Sequence, residues 1–347
     1  MNSWRNPGVM AALAAAILFG AGAPAAKLLL GSTNPWLLAG LLYLGSGIGL
    51  ALARQFRRTE SVSVARGDVK WLALAVATGG VIGPVLLMVG LSRMPASAAS
   101  LLLNAEAVFT ALLAWFVFHE NFDRRIALGM VLIVLGALAL SWPGDNGFGS
   151  VLPALAVLGA CFSWAIDNNL TRKIALSDAT FIAMTKGIVA GVVNVTIAWT
   201  LGATLPSFQI VAAAGAVGFF SFGASLVLFV VALRHLGAAR TGAYFSIAPF
   251  AGAIIAILLL NEAVTASLLV AGLLMGAGVW LHLTENHDHE HAHDATEHTH
   301  EHSHDEHHQH EHEISLPRNT RHTHRHNHDP LTHSHSHYPD AHHGHRH

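Results

Sequence analysis

The chain has 347 residues, of which 52% are hydrophobic and only 12% are charged, with a formal net charge of −2 at pH 7. Soluble domains usually carry about 25% charged residues, so this composition excludes an ordinary soluble protein. A single cysteine, Cys161, also excludes an intramolecular disulfide and a cysteine-based metal motif. The charge is divided unevenly, because residues 1–283 have a net charge of +6 and residues 284–347 a net charge of −8.

The first element runs from MNSWRNPG into an apolar stretch that is too long for the core of a signal peptide, so it is predicted to be a membrane span. Apolar runs of about 17–25 residues predict membrane-spanning helices. With this first one, the chain contains ten such runs, at 8–30, 35–53, 70–91, 97–118, 126–142, 151–168, 179–201, 209–233, 239–260 and 264–283. They leave no room for a globular domain, and the predicted fold class is all-α integral membrane.

Basic residues indicate the orientation of these spans. If the N-terminus is cytoplasmic, the inner loops and span ends carry twelve Lys and Arg residues, whereas the outer ones carry only Arg93. Lys and Arg are concentrated in cytoplasmic loops of membrane proteins. The sequence therefore predicts a multi-pass protein of the plasma (inner) membrane with both termini in the cytoplasm.

An internal repeat relates the two halves of the chain. At an offset of 142 residues, LSRMPASAASLLLNAEAVFTALLAWFVFHE (91–120) matches LRHLGAARTGAYFSIAPFAGAIIAILLLNE (233–262). Spans one to five then match spans six to ten, and the odd number makes the two units cross the membrane in opposite directions. Inverted repeats are typical of transporters that alternate access around a central site. The predicted units are a first five-helix repeat at 1–142, a second at 143–283 and a tail at 284–347.

These two stretches resemble the drug/metabolite transporter superfamily, of the EamA type, over about residues 8–283. In that family the fourth and ninth spans follow a short hinge and end in a Glu flanked by apolar residues. The resemblance implies ten helices around a central cavity, an exporter role and no enzymatic activity. It does not extend to residues 284–347.

Glu106 is the residue inside the spans that most directly predicts a site. It lies midway along span four in LLLNAEAVF, two residues after Asn104. A charged group at that depth costs about 2.5–3.5 kcal/mol on insertion scales, so it should face the interior of the bundle and serve a substrate or a proton. The alternative is a protonated carboxyl that only bonds a neighbouring helix.

Three further charged residues lie within the spans. Asp167, in SWAIDNNLTRK, either lines the cavity and pairs with a basic group or marks the point where span six leaves the membrane. Lys27 either faces the cavity or extends its stem to the headgroups, and Lys186 is interpreted in the second way. Glu120 and Glu262 are interpreted as caps of the helices that follow them. The predicted substrate or proton site therefore consists of Glu106, Asn104, Asp167 and Lys27.

The tail is the second feature that predicts chemistry. Its low apolar content predicts disorder, and 12 of the 27 residues at 287–313 are His. Neutral imidazoles with nearby carboxylates favour Zn, Ni or Co, so we expect the tail to bind a divalent transition metal, with no cofactor required for transport. A merely solvating tail is the alternative. The candidate ligands are His287, His289, His291, His293, His298, His300, His302, His304, His307, His308, His310 and His312.

Together these patterns predict a secondary transporter that moves, and more specifically exports, a small solute by alternating access. Its expected partners are a small-molecule or ion substrate and the lipid bilayer, with no nucleic acid, and a homodimer remains open. The tail would link the carrier to Zn, Ni or Co handling as donor, buffer or switch. The alternatives are a membrane-tethered metal buffer or sensor without transport, and, least supported, a membrane metalloenzyme, because only three His lie outside the tail.

Overall fold

A computed structural model describes most of the chain. The described residues are 7–57, 67–118, 124–141, 151–172, 174, 178–283, 288–293, 296–302, 322–328 and 331–336. Residues up to 285 form one compact unit, and residues from 286 onward form another.

The described part of the first unit is helical. Its first half contains α1 (Pro7–Gly20), α2 (Gly22–Leu30), α3 (Pro35–Arg57), α4 (Val69–Ala75), a π-helical segment (Val76–Ile82), α5 (Gly83–Ser92), α6 (Ala96–Leu102), α7 (Ala105–Phe118) and α8 (Arg124–Ser141). Its second half contains α9 (Leu152–Arg172), α10 (Ala179–Thr200), α11 (Phe208–Gly218), a π-helical segment (Phe219–Ala224), α12 (Ser225–Phe245), α13 (Ala248–Leu260) and α14 (Ala266–Leu283).

Nine helical stretches among the described residues are long and apolar enough to cross a membrane. They coincide with all the predicted spans except the sixth, which confirms an all-α membrane fold without confirming the count of ten. The sixth predicted span is the helix α9, but it is not among the nine. Its second half contains Asp167, Asn168 and Asn169, which lower its hydropathy.

The two halves share the same irregularities. At the repeat offset of 142 residues, the π-helical segment Val76–Ile82 corresponds to residues 218–224, which contain the second π-helical segment. The fourth predicted span is interrupted at 103–104, and the ninth is interrupted at 246–247, within one residue of the equivalent place. Helix breaks and π turns have a cost and are often found at functional sites. Their recurrence indicates that both halves have one architecture.

Helix packing follows the same symmetry. The helix α3 packs against its equivalent α10, α8 packs against α14, and α6 packs against α13. The contact of α5 with α9 is repeated by the contact of the first part of α12 with α1. Glycines allow this close approach, since a Cβ on Gly45 would lie 2.3 Å from the carbonyl oxygen of Gly215. The fold is thus a bundle of two interlocked repeats.

The second unit contains two antiparallel strand pairs. The strand β1 (Asp288–His293) pairs with β4 (Leu331–Ser336), and β2 (Thr296–His302) pairs with β3 (His322–His328). His alternates with other residues over much of this segment, which matches the two-residue period of a strand. Disorder of residues 284–347 stays a prediction from their composition.

Candidate substrate site

A break in the fourth span places Glu106 in the middle of the bundle. The helix α6 ends at Leu102 and α7 begins at Ala105, with a turn at residues 103–104 between them. Glu106 lies in the first turn of α7, and its amide donates to the carbonyl oxygen of Leu103 at 3.1 Å. Discontinuous spans near the midplane form the substrate and ion sites of many transporters.

The Glu106 carboxyl bonds the opposite repeat through one oxygen only. The Nδ2 of Asn168, on α9, donates to Oε1 of Glu106 at 2.8 Å. Glu106 is half-buried and Asn168 is exposed. The described residues supply no donor to the second oxygen, Oε2, so this oxygen is left for a ligand or a proton.

An ion pair lies beside this contact. The Nζ of Lys186, on α10, is 2.6 Å from Oδ1 and 2.5 Å from Oδ2 of Asp167. The hydroxyl of Thr171 adds a hydrogen bond to Oδ1 at 3.0 Å. The Asp167 side chain is 8% exposed and that of Lys186 is 17% exposed, so the pair is largely removed from solvent. The prediction that Lys186 reaches the headgroups is therefore wrong, because the buried carboxylate binds its ammonium inside the bundle.

The π-helical segment Val76–Ile82 is held against this pair by side chains from three helices. The hydroxyl of Tyr43 and Nε1 of Trp164 both donate to the carbonyl oxygen of Gly79, at 2.8 and 2.9 Å. The Nδ2 of Asn194 donates to the carbonyl oxygen of Gly80 at 3.1 Å. Carbonyls that leave the regular helical pattern inside a membrane need such partners. These bonds keep the irregular segment in one position.

The charges of this cluster do not cancel. Glu106 interacts electrostatically with both Asp167 and Lys186. Two carboxylates and one ammonium carry a net charge of −1 when all three are ionised. The cluster therefore favours the arrival of a positive charge, either a proton or a substrate amine.

The two repeats contain equivalent helix crossings, but they carry different side chains. Trp164 and Asp167 pack on Gly79 where α9 crosses the third span. At the equivalent crossing, Gly22 lies against Ser221, and Ala25 stands at the position that corresponds to Asp167. The repeat symmetry thus builds the framework, and the substitutions within it make a single site.

The structure brings together two of the four predicted site residues, Glu106 and Asp167. Asn104 turns away, since its Nδ2 donates to the carbonyl oxygen of Leu101 at 2.9 Å and lies 3.9 Å from the sulfur of Met275. Lys27 lies elsewhere in the bundle, on α2, and its ammonium binds the turn that follows α5.

Among the residues of this cluster that sequence reasoning missed, Lys186 had a signal. A lysine buried in a span needs an anionic partner. The predicted spans contain only two acidic residues, Glu106 and Asp167, so the sequence offered Asp167 as a candidate partner of Lys186. Tyr43, Asn168 and Gly79 had no comparable signal, because their roles depend on which helices touch.

The predicted metal ligands all belong to the second unit of the chain. Among the residues that the structure describes, no group of three or more His, Cys, Asp or Glu side chains is placed to hold a metal ion. Six of the twelve candidate His residues lie on strands, namely His289, His291 and His293 on β1 and His298, His300 and His302 on β2. The others, His287, His304, His307, His308, His310 and His312, lie outside the described residues.

Comparisons with known proteins agree with this architecture. The "Uncharacterized transporter" of Methanothermobacter thermautotrophicus is 33% identical over 295 residues, covering 79% of this chain and 85% of that protein. The "Probable terminal-alkyne amino-acid exporter" of Streptantibioticus cattleyicolor is 28% identical over 265 residues, which are 68% of this chain and 84% of that protein. The "Probable amino-acid metabolite efflux pump" of Salmonella typhimurium is 40% identical over 82 residues, 23% of this chain and 27% of the pump.

One protein of known crystal structure shares the fold, with a TM-score of 0.59 at 17% identity over 79% of this chain and 96% of its own. The model of one transporter family matches the chain twice, at residues 6–142 and 151–284. By these matches the protein belongs to the EamA-like transporter family and is a multi-pass membrane protein.

Proposed function

We propose that this protein is a secondary transporter that exports a small metabolite carrying both an amine and a carboxylate. The observation that carries the proposal is the Asp167–Lys186 ion pair inside the membrane bundle, beside Oε2 of Glu106, to which the described residues donate no hydrogen bond. Two of the relatives described above are named for amino-acid compounds, which supports this substrate class.

The physical argument rests on the cost of separating a buried ion pair. Removing either partner leaves an uncompensated charge, which costs about 3–5 kcal/mol. A zwitterion can enter between the partners without that cost, because its carboxylate replaces Asp167 at Lys186 and its ammonium bonds Asp167. Glu106 would hold the same ammonium through Oε2. A neutral solute offers neither replacement, so it would be excluded.

Glu106 also provides a route for a proton. We propose that its carboxyl, half-buried at the break between α6 and α7, takes up a proton when the substrate leaves. The transmembrane proton gradient would then drive export. The protein would lie in the plasma (inner) membrane with both termini in the cytoplasm, as the distribution of basic residues predicts.

The test is flux of a radiolabelled neutral amino acid from proteoliposomes. We expect transport by the unaltered protein, loss of transport in Glu106→Gln and Lys186→Met, and unchanged transport in Lys70→Met, which removes an exposed lysine outside the cluster. Full transport in both Glu106→Gln and Lys186→Met would exclude this site as the place where the substrate binds.

We further propose that residues 284–347 bind Zn, Ni or Co and act as donor, buffer or switch for the carrier. His-rich composition supports this proposal. The membrane unit offers oxygen ligands rather than imidazoles, which argues against a transition metal as the main substrate.

Truncation after Leu283 separates these roles. A donor role predicts that metal ions cross the membrane with the full-length protein and more slowly with the truncated one. A buffer or switch predicts that no metal crosses and that amino-acid flux responds to metal only in the full-length protein. The rival function, a metal buffer or sensor without transport, predicts that no solute crosses with either protein.

A further inference from the structure

Two charged side chains hold the turn between α5 and α6. The Nζ of Lys27 donates to the carbonyl oxygen of Leu91 at 2.5 Å and to that of Met94 at 3.0 Å. Glu262 accepts from the amides of Ala96 and Ser97, at 2.7 Å to Oε1 and 2.8 Å to Oε2. The stretch 91–97 is thus bound at both ends.

The charges match the backbone groups they meet. A cation is favourable at the carbonyl end of a helix and a carboxylate at the amide end. Lys27 binds the carbonyl end of α5, and Glu262 binds the amides that begin α6. Hydrogen bonds to ionised groups are roughly twice as strong as neutral ones. Lys27 and Glu262 also attract one another electrostatically.

The contact joins the two repeats. Lys27 belongs to the first span, and Glu262 follows the ninth. We expected Glu262 to cap the helix after it, α14, but its carboxylate caps α6 of the other repeat instead. Because the two repeats must move relative to one another in alternating access, a bond between them resists that movement.

The equivalent turn of the second repeat is built differently. Gly237 replaces Pro95 there, and its φ of 78° lies in a region that favours glycine. Asn169 replaces Lys27, and its Nδ2 donates to the carbonyl oxygens of Ala165 and Thr110, at 2.9 and 3.4 Å. Among the described residues of the second turn, an amide thus stands where Lys27 supplies an ammonium in the first.

We propose that Lys27 and Glu262 form a latch that closes the transport pathway on the face where α2 and α13 end. The unloaded carrier rests with this face closed, and the two hydrogen bonds of Glu262 must break in each cycle before it opens. Lys27 is bonded within its own repeat, and its positive charge attracts Glu262 across the boundary between the repeats. Lys27 and Glu262 are positioning residues that set the balance between two conformations. This inference rests on transport by alternating access, as proposed above.

Distances between spin labels on the latch test this proposal directly. The labels are placed by Arg93→Cys and Val264→Cys, two exposed positions on the two sides of the latch, in a Cys161→Ala background. The distance distribution is measured by pulsed electron paramagnetic resonance in liposomes without any solute. In the otherwise unaltered protein we expect one predominant short distance, and a predominant long distance would overturn the proposal.

Variants of the latch sharpen the measurement. In Lys27→Met and in Glu262→Gln we expect the population with the longer distance to rise about tenfold. Glu262→Gln weakens the bonds between the repeats, and Lys27→Met removes the positive charge that attracts Glu262. Lys27→Arg retains the charge and should keep the short distance, and Lys70→Met is the control for removal of a lysine elsewhere. A folded Lys27→Met and a folded Glu262→Gln with unchanged distances would show that the contact is not a latch. Because no solute is present, a failure of amino-acid transport in the flux assay would leave this result intact.

Discussion

Gly79 lies so close to Asp167 that a Cβ atom built on the glycine would be 1.9 Å from Oδ2 of the aspartate. No side chain other than hydrogen fits there while Asp167 stays bonded to Lys186. The geometry of the ion pair therefore depends on a glycine at this position of the π-helical segment. Bending or shifting this segment would alter the separation of the two charges.

Gly79→Ala should consequently abolish most transport. The added methyl group pushes the Asp167 carboxylate away from Lys186 or forces the segment Val76–Ile82 to move. We expect amino-acid flux to fall about tenfold or more, the equivalent of roughly 1.4 kcal/mol. Gly215→Ala is the matched control, because a Cβ at that position meets open space. Equal flux in both variants would contradict the coupling.

The Asp167–Lys186 pair predicts a difference between single and double variants. Lys186→Met leaves a buried carboxylate without its partner, and we expect it to destabilise the fold by about 3–5 kcal/mol. Asp167→Asn combined with Lys186→Met removes both charges and should recover much of that stability. Thermal unfolding in detergent measures the difference. Transport should stay absent in the double variant, and a double variant that transports would show that the charges serve only stability.

Asp178 predicts a pH dependence of stability outside the membrane core. Burial opposes its ionisation, but hydrogen bonds from Arg54 and from the amides of Phe181 and Thr180 outweigh that effect, so the pKa of Asp178 lies below its ordinary value. A lowered folded-state pKa stabilises the fold above the unfolded pKa. This contribution is lost as the pH falls through about 3.9 towards the lower folded-state value.

Asp178→Asn should therefore lower the unfolding temperature more at pH 7 than at pH 3. The asparagine keeps the cap at the start of α10 and loses only the charge opposite Arg54. The pair lies at the start of α10, and we expect a decrease of about 2 °C at pH 7. Unfolding temperatures of both proteins at several pH values check this, and a difference as large at pH 3 as at pH 7 would argue against an electrostatic origin.

Metal binding by the tail should depend on pH between about 7.5 and 5, a higher range than that of Asp178. Imidazoles bind metal only when neutral, and their ordinary pKa is about 6.5. The full-length protein should retain Zn, Ni or Co at pH 7.5 and release it as the pH falls to about 5. Metal content after dialysis measures this, with the protein truncated after Leu283 as control. Equal metal content in the two proteins at pH 7.5 would place the metal in the membrane unit.

Glu106 and Lys186 show what sequence reasoning can assign inside a span and what it cannot. A carboxyl in the middle of an apolar run has a large desolvation cost, so Glu106 could be assigned to the bundle interior from its neighbours alone. Lys186 has the same cost, but it lies near enough to a span end that a long stem could reach water. Choosing between these outcomes required the position of Asp167 on a different helix.

The sequence by itself determined the class of fold, because apolar runs of this length have no stable arrangement outside a membrane and the 142-residue repeat relates their order. It also predicted Glu106 and Asp167 as candidate site residues. Only the tertiary structure decided that Lys27 and Glu262 bind one turn between them, that Tyr43 and Trp164 share the Gly79 carbonyl, and that Lys186 binds Asp167. These are contacts between helices far apart in the chain. Their partners are chosen by packing and charge pairing across the bundle, which no local pattern of residues records.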